Sequence, residues 1–458
     1  MNYQDHFRVH QKIKSASLFR EQQFSDSTDT TTPLYIIRKM MRIERNFWCN
    51  PSKTLLDPTC GSGGFLLEAV RRMYYGMRHA IPDDKKRLSK CFARIRGFDV
   101  DEAQLHRARQ ALYTLAKLVD IDVENIIIKQ DFLSYNDSVK YDIVAGNPPF
   151  SISGKENLYE EFIIKAIDSL SNSGMLVQLM PRNWAMNASS ALRKKVIAEA
   201  GDSIKINIIQ RPPEWKGIDV EILTLSLKKN GQIATKYLLN NKERPIIDGL
   251  LCLDNTLDVV IQEKAALLVN KYGAIELFDP KKIETSECTS LCVSYKTQKQ
   301  AREFRNKKDI LNVEDKHILW DGGSGTTMFV LEQKKCKHNK KFENFLSKKR
   351  NEGYQSVVLY HGFMGKREKV PFQELIYSEK IDNCACLDVG GGRVFVVAVR
   401  NVEKHEWFIK HSIIKKLIVA FHQGVRPITT LHGVIPDISH LLSDDVDERE
   451  MQMKEWFT

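Results

Sequence analysis

Asp57-Pro58-Thr59-Cys60-Gly61-Ser62-Gly63-Gly64-Phe65 is the stretch on which the reading of this chain turns. The short apolar run over 52–57 predicts a buried strand, and the helix-period segment over about 65–77 predicts the helix that follows. Between them, glycines let the backbone approach a ligand closely, and the amides of a helix N-terminus favour a carboxylate or phosphate. A tight strand-to-helix turn with no ligand would use the same residues, so the stretch gains weight only from its neighbours. Its spacing is not the dinucleotide fingerprint Gly-x-Gly-x-x-Gly, and no Gly-Lys-Ser/Thr completes a phosphate loop.

Working outward, residues 94–100 read as a second strand, with a helix over about 102–118. Residues 125–129, 141–146 and 175–180 read as three more strands, and a further helix begins near Ser189. Strand and helix alternating at this rhythm predict an α/β fold, a doubly wound, mostly parallel, Rossmann-like sheet. Ligands of such sheets sit beyond the carboxyl ends of the strands. After about residue 240 the rhythm breaks into short strand-like pieces at 356–360 and 394–399 and helical pieces near 258–272 and 408–421. Glycine clusters lie at Gly322-Gly323-Ser324-Gly325 and Gly390-Gly391-Gly392. This predicts two domains, 1–240 and an α+β domain over 241–458.

The strand ends carry chemistry in a fixed order. Asp99 closes the second strand, where an acid can accept both hydroxyls of a ribose. Asp131-Phe132 follows the third, an acid and an aromatic suited to an adenine amino group and ring. Asn147-Pro148-Pro149-Phe150 follows the fourth. Singly, each could be a cap or a rigid turn; together at successive strand ends they point to a nucleoside site.

With these residues in view, the sequence resembles the S-adenosylmethionine-dependent adenine-N6 DNA methyltransferases. The likeness is to those of gamma motif order, such as type I restriction modification subunits and their single-chain relatives. It covers roughly residues 26–230 and includes Thr32-Pro33, similar to the motif that precedes the glycine-rich loop in that family. The resemblance implies S-adenosyl-L-methionine as cofactor, held by Thr32, Asp57, Thr59, Gly61, Gly63, Asp99, Val100, Asp131 and Phe132. It implies Asn147, Pro148, Pro149 and Phe150 as the catalytic loop and double-stranded DNA as substrate. One departure is Asp99 where relatives often carry Glu, which shortens the reach to a ribose. Cys60 stands where the family often has Ala or Cys and reads as small packing.

The chemistry suits those residues. An adenine amine is a poor nucleophile because its lone pair is delocalised into the ring; accepting both of its N–H bonds turns that pair toward a methyl donor. The Asn147 side-chain oxygen and the Pro148 carbonyl are acceptors for this task, stiffened by two prolines. Direct transfer from a sulfonium needs no metal and no covalent enzyme intermediate, and alignment supplies much of the rate. A base inside a duplex cannot reach such a pocket, so flipping is implied, at roughly a few kcal/mol. Phe150 is the first stacking face, and Trp215 is the candidate second, against a competing reading of Trp215 as a packed loop aromatic.

Composition sets the outer limits. The 458 residues are 42% hydrophobic and 28% charged, an ordinary globular balance that excludes a wholly disordered or fibrous chain. The charged first residues and the lack of a long apolar run predict neither export nor membrane spanning, and nine thinly spread cysteines fit a reducing, cytoplasmic setting. Net charge is +11, and residues 291–370 hold 18 Lys+Arg against 9 Asp+Glu. Within that stretch Lys340, Lys341, Lys348 and Lys349 are candidate DNA contacts, against the plain reading of a solvated helix face. Cys288, Cys292, Cys384 and Cys386 lack the spacing of a common structural zinc site, so no metal is expected. No nuclease-like acidic-x-Lys pair follows Asp83 or Asp437, so a cognate restriction or specificity subunit is a compatible partner. The alternative is a protein-glutamine or RNA methyltransferase, since an amide nitrogen needs the same Asn-Pro-Pro-aromatic treatment.

Overall fold

The computed structural model describes residues 8–18, 31–136, 138–152, 155–186, 190–210, 212, 215, 221–278, 293–294, 327–328, 340–361, 375–381, 394–422 and 433–458. The two glycine clusters of the second half, together with Cys288, Cys292, Cys384 and Cys386, lie outside them. The chain divides into two compact units, Met1–Ala185 with Ser189–Gly249, and Met186–Ala188 with Leu250–Thr458.

After a helical segment over 8–18, the first unit has helices α1 (Leu34–Met40) and α2 (Arg45–Cys49), then β1 (Leu55–Asp57), α3 (Gly64–Gly76), α4 (Asp84–Phe92), β2 (Ile95–Asp99) and α5 (Glu102–Ala116). It continues with β3 (Ile127–Lys129), β4 (Tyr141–Gly146), α6 (Leu158–Asp168), β5 (Leu170–Pro181), α7 (Ala191–Ala200) and β6 (Lys205–Ile209). Strands β7 (Ile222–Lys228), β8 (Lys236–Leu239) and β9 (Lys242–Pro245) complete it. The sheet order is β9-β8-β6-β7-β5-β4-β1-β2-β3. From β3 to β5 neighbours run parallel; β7 is antiparallel to both β5 and β6.

The central strands are apolar because helices cover both faces of a parallel sheet. Leu55 lies in register with Ile95 on one side and Ile143 on the other, and all three are buried. Lys53 holds Asp142 at 2.7 Å, and the Thr54 N–H and hydroxyl also donate to that carboxylate, at 3.0 and 3.1 Å. This fixes how β1 enters beside β4. The chain steps outward from β1 to β2 and β3, then returns to β4 on the opposite flank. The loops after β1 and β4 therefore diverge over one crevice, the switch point where such sheets bind ligands.

The expected mostly parallel α/β sheet is present, and the expected fifth strand is longer than 175–180. The expected division at 240/241 falls in the turn of the β8–β9 hairpin, paired from Lys236↔Pro245 to Leu239↔Lys242. The sheet edge needs both strands, so the first unit runs on to Gly249.

The second unit contains α8 (Val259–Tyr272), β10 (Leu277–Phe278), α9 (Lys340–Asn351), β11 (Ser356–His361), β12 (Leu375–Lys380) and β13 (Val394–Val399). Helices α10 (Val402–Lys410), α11 (Ser412–His422) and α12 (Val446–Phe457) follow. Its strands form an antiparallel sheet in the order β10-β13-β11-β12. Among the described residues no helix is long and apolar enough to cross a membrane.

Candidate active site

The glycine-rich turn is built by φ angles that side chains resist. Gly61 (φ 48°) and Gly63 (φ 79°) both lie in the left-handed region, and Gly63 caps α3. A Cβ on Gly63 would sit 3.1 Å from Ala108 of α5, whereas one on Gly61 would meet open space. On the same turn the buried Ser62 hydroxyl oxygen has no hydrogen-bond partner. An open backbone cradle, an unpartnered hydroxyl and the N-terminus of α3 together fit an anionic or polar ligand group.

Asp99 at the end of β2 is wired into this turn. One oxygen accepts the Gly61 N–H at 2.8 Å; the other accepts the Val100 and Asp101 N–H groups at 2.8 and 3.0 Å. A carboxylate has about four lone-pair sites, so capacity remains for a ribose hydroxyl. Val100 beside it is 60% exposed, open to a ligand edge. Asp131 is exposed beyond β3 and accepts the Leu133 N–H at 2.9 Å. Cys60 is buried, its N–H on the Phe98 carbonyl at 2.8 Å. Burial first, then the Asp57 and Asp99 carboxylates, push its thiol well above the ordinary range, so it serves packing and not nucleophilic attack.

Asp57 and Asn147 meet across the switch point. A Cβ on Gly146 would lie 2.8 Å from an Asp57 carboxylate oxygen, so only glycine lets β4 pass so near β1 here. The Asp57 side chain accepts the Thr59 N–H at 3.2 Å, and the Thr59 hydroxyl donates to the Asn147 carbonyl at 3.2 Å. The Asn147 side-chain nitrogen donates to the Thr32 hydroxyl at 3.1 Å, and its buried Oδ1 has no hydrogen-bond partner. Pro148 is buried; Pro149 and Phe150 are half-buried, with Phe150 edge-on to Tyr159 at 6.5 Å between centroids. Tyr159 carries no motif signal of its own, and nothing in the sequence singles out the Ser62 hydroxyl or the Gly146 contact within their segments.

Three expectations are corrected. Phe132 is 2% exposed, near-parallel to Phe98 and Phe162 at 6.4 and 6.2 Å with the Lys165 ammonium 5.4 Å from its ring. It belongs to the core and offers no open face to an adenine. Trp215 is also 2% exposed, packs in the core, and donates its indole N–H to the Thr31 carbonyl at 3.1 Å. It is no stacking face for a flipped base. Lys349 is buried, its ammonium 2.8 Å from both Glu276 and Glu352, and Lys348 reaches Glu276 at 3.1 Å. Lys349 is engaged within the unit and is not free for phosphates, whereas the Lys348 side chain, 56% exposed, makes only a surface ion pair. Lys340 and Lys341 open α9, and their side chains lie outside the described residues.

The Glu276 cluster has a pH signature. Burial alone would raise the Glu276 carboxyl, but the hydrogen bonds of Lys349 and Lys348 outweigh it and hold it below the ordinary range. A depressed folded-state pKa gives stability that is present above the unfolded value of about 4.3 and fades as pH falls through the folded one. Lys349→Met should therefore cost roughly 1 kcal/mol near neutral pH, the half-exposed glutamate being screened by solvent. The variant's deficit should shrink as pH falls below the unfolded value of about 4.3 and through the lower folded one. Urea midpoints across that range check this; a deficit independent of pH would show that the pair contributes nothing.

Residues 48–203 match the family model described as UPF0020, RMKL-like, methyltransferase domain. Over 163 residues the chain is 24% identical to modification methylase CviBIII of Paramecium bursaria Chlorella virus NC1A, covering 33% of this chain and 36% of that protein. Over 99 residues it is 35% identical to the type II methyltransferase M.VspI of Vibrio sp. (strain 343), covering 21% and 19%. Among solved structures, the M protein of the type I restriction enzyme EcoKI aligns with 18% identity and a TM-score of 0.39, covering 46% of this chain and 48% of that one. The chain spans less than half the length of each of these proteins.

Proposed function

We propose that the chain is a site-specific DNA methyltransferase that moves the methyl group of S-adenosylmethionine to N6 of a flipped adenine. The observation that carries this is the buried, unpartnered Oδ1 of Asn147, an acceptor held at the switch point beside Phe150 and the glycine-rich turn. A buried acceptor left empty costs about 1–3 kcal/mol, which a substrate N–H would recover. The cofactor supplies a sulfonium-activated methyl group. Gly61, Ser62 and Gly63 would hold its amino-acid end, Asp99 and Val100 its ribose, and Asp131 its adenine amine. Asn147 Oδ1 and the Pro148 carbonyl would accept the two N–H bonds of the target amine, and Phe150 would stack on the extruded ring.

The second unit, 250–458, would contact double-stranded DNA and read its sequence, Lys340, Lys341 and the exposed Lys348 being its remaining lysine candidates. A restriction or specificity subunit is a compatible partner, and the cytoplasm, where cellular DNA is reached directly, is the compartment this reading requires. One observation favours a second reading, an RNA or protein-glutamine methyltransferase: the matched domain description names methyl transfer without a substrate, and the Asn147 loop suits an amide nitrogen equally. Tritiated methyl transfer to DNA, RNA and ribosomal extracts separates the two. Single-molecule sequencing of DNA from a methylation-free host expressing the chain should report methylated adenine at one sequence. Label entering RNA or protein but not DNA would overturn the proposal.

A further inference from the structure

Resting on that reading, we infer that Thr32 is a positioning residue that sets the orientation of the Asn147 amide, and that Trp215, between β6 and β7, anchors it through Thr31. A primary amide has two unlike ends, and only its oxygen can accept from an amine. Thr32 Oγ1 takes the Asn147 Nδ2 group at 3.1 Å, which leaves Oδ1 as the end directed elsewhere. The backbone of Asn147 is held separately by the Thr59 hydroxyl on its carbonyl at 3.2 Å. Two threonine hydroxyls, one before β1 and one just after it, thus fix both parts of the same asparagine.

Thr32 is itself immobilised. It is 5% exposed, and Pro33 restricts its backbone to extended conformations before α1 begins. The preceding Thr31 carbonyl accepts the Trp215 indole N–H at 3.1 Å, and Trp215 is locked in the core. The loop between β6 and β7 therefore reaches the catalytic asparagine through one tryptophan and two adjacent threonines. This gives the Thr32 hydroxyl a task in the chemical step, distinct from holding cofactor.

The test compares Thr32→Val, Thr32→Ser, Trp215→Phe and Asn147→Ala in the full chain, with kcat on DNA and S-adenosylmethionine affinity by calorimetry. Thr32→Val, which keeps the volume but cannot bond the amide, should lower kcat by about tenfold or more and leave cofactor affinity within about twofold. Thr32→Ser should restore kcat to within about threefold of the parent, and Trp215→Phe should fall between the two. Should Thr32→Val fold poorly, the Ser and Trp215→Phe pair carries the comparison. Cofactor affinity falling in step with kcat would overturn the inference and return Thr32 to the cofactor. Parental kcat in Thr32→Val beside an inactive Asn147→Ala would overturn the inference alone. A parent chain inactive on every substrate would overturn the underlying reading as well.

Discussion

Asn147→Ala lowers methyl transfer by about 10²–10³-fold, the loss typical when one preorganised hydrogen-bonding group is removed from a reacting centre. Cofactor affinity stays within about twofold, because the side-chain nitrogen donates to Thr32 and the oxygen has no partner, so neither end is bonded to the glycine-rich turn. The alanine also removes the buried Oδ1 that has no hydrogen-bond partner, so little folding stability is lost with it. Single-turnover methylation and calorimetry on the same preparation check both halves. Transfer within about tenfold of the parent would remove Asn147 from the chemistry.

Asp99→Ala produces the opposite pattern. The carboxylate accepts three backbone N–H groups, from Gly61, Val100 and Asp101, so its loss slackens the turn and the strand end together. KM for S-adenosylmethionine should rise by about tenfold or more while kcat falls less, since the proposed ribose contact would be made equally in ground and transition states. Thermal stability should drop by about 1–3 kcal/mol at most, the exposed Val100 and Asp101 amides finding water. An unchanged KM with a lowered melting temperature would make Asp99 a structural tie and nothing more.

How much of this was legible before the fold is a question of what each signal encodes. The strand over 141–146 and the helix after Gly63 were readable because buried parallel strands are continuous apolar runs and a glycine turn marks a helix start. Helix α4 was missed: its sequence, Asp-Lys-Lys-Arg-Leu-Ser-Lys-Cys-Phe, is mostly charged, and Leu88, Cys91 and Phe92 supply its buried side. The asparagine and the acids at strand ends were legible as residue types in order. Their wiring was not, because Asp99 to Gly61 and Asn147 to Thr32 are contacts between distant segments. The burial of Trp215 and Phe132 was not legible for the same reason: an aromatic in a loop motif is open or buried according to partners such as Thr31 or Phe162, which composition does not reveal. Lys349 shows the limit for charge, since a basic run reports net charge and not that Glu276 and Glu352 already hold the ammonium.

Strand β7 has a consequence for how the chain is made. It slots between β5 and β6 although it follows both in sequence, pairing with β5 from Met175↔Lys228 to Pro181↔Ile222. Every candidate catalytic and cofactor residue, up to Phe150, leaves the ribosome before it. A nascent chain that has just completed β5 therefore carries all the chemistry but presents the bare backbone edge of a strand whose Leu176, Val177, Leu179 and Met180 are fully covered in the finished fold. Such an edge is a template for pairing with another chain. A product ending after β6 should pellet or be degraded, whereas one ending after Gly249 should stay dispersed; equal solubility of the two would show that the edge is harmless. During translation, the interval between Pro181 and Lys228 is when this protein most needs a chaperone.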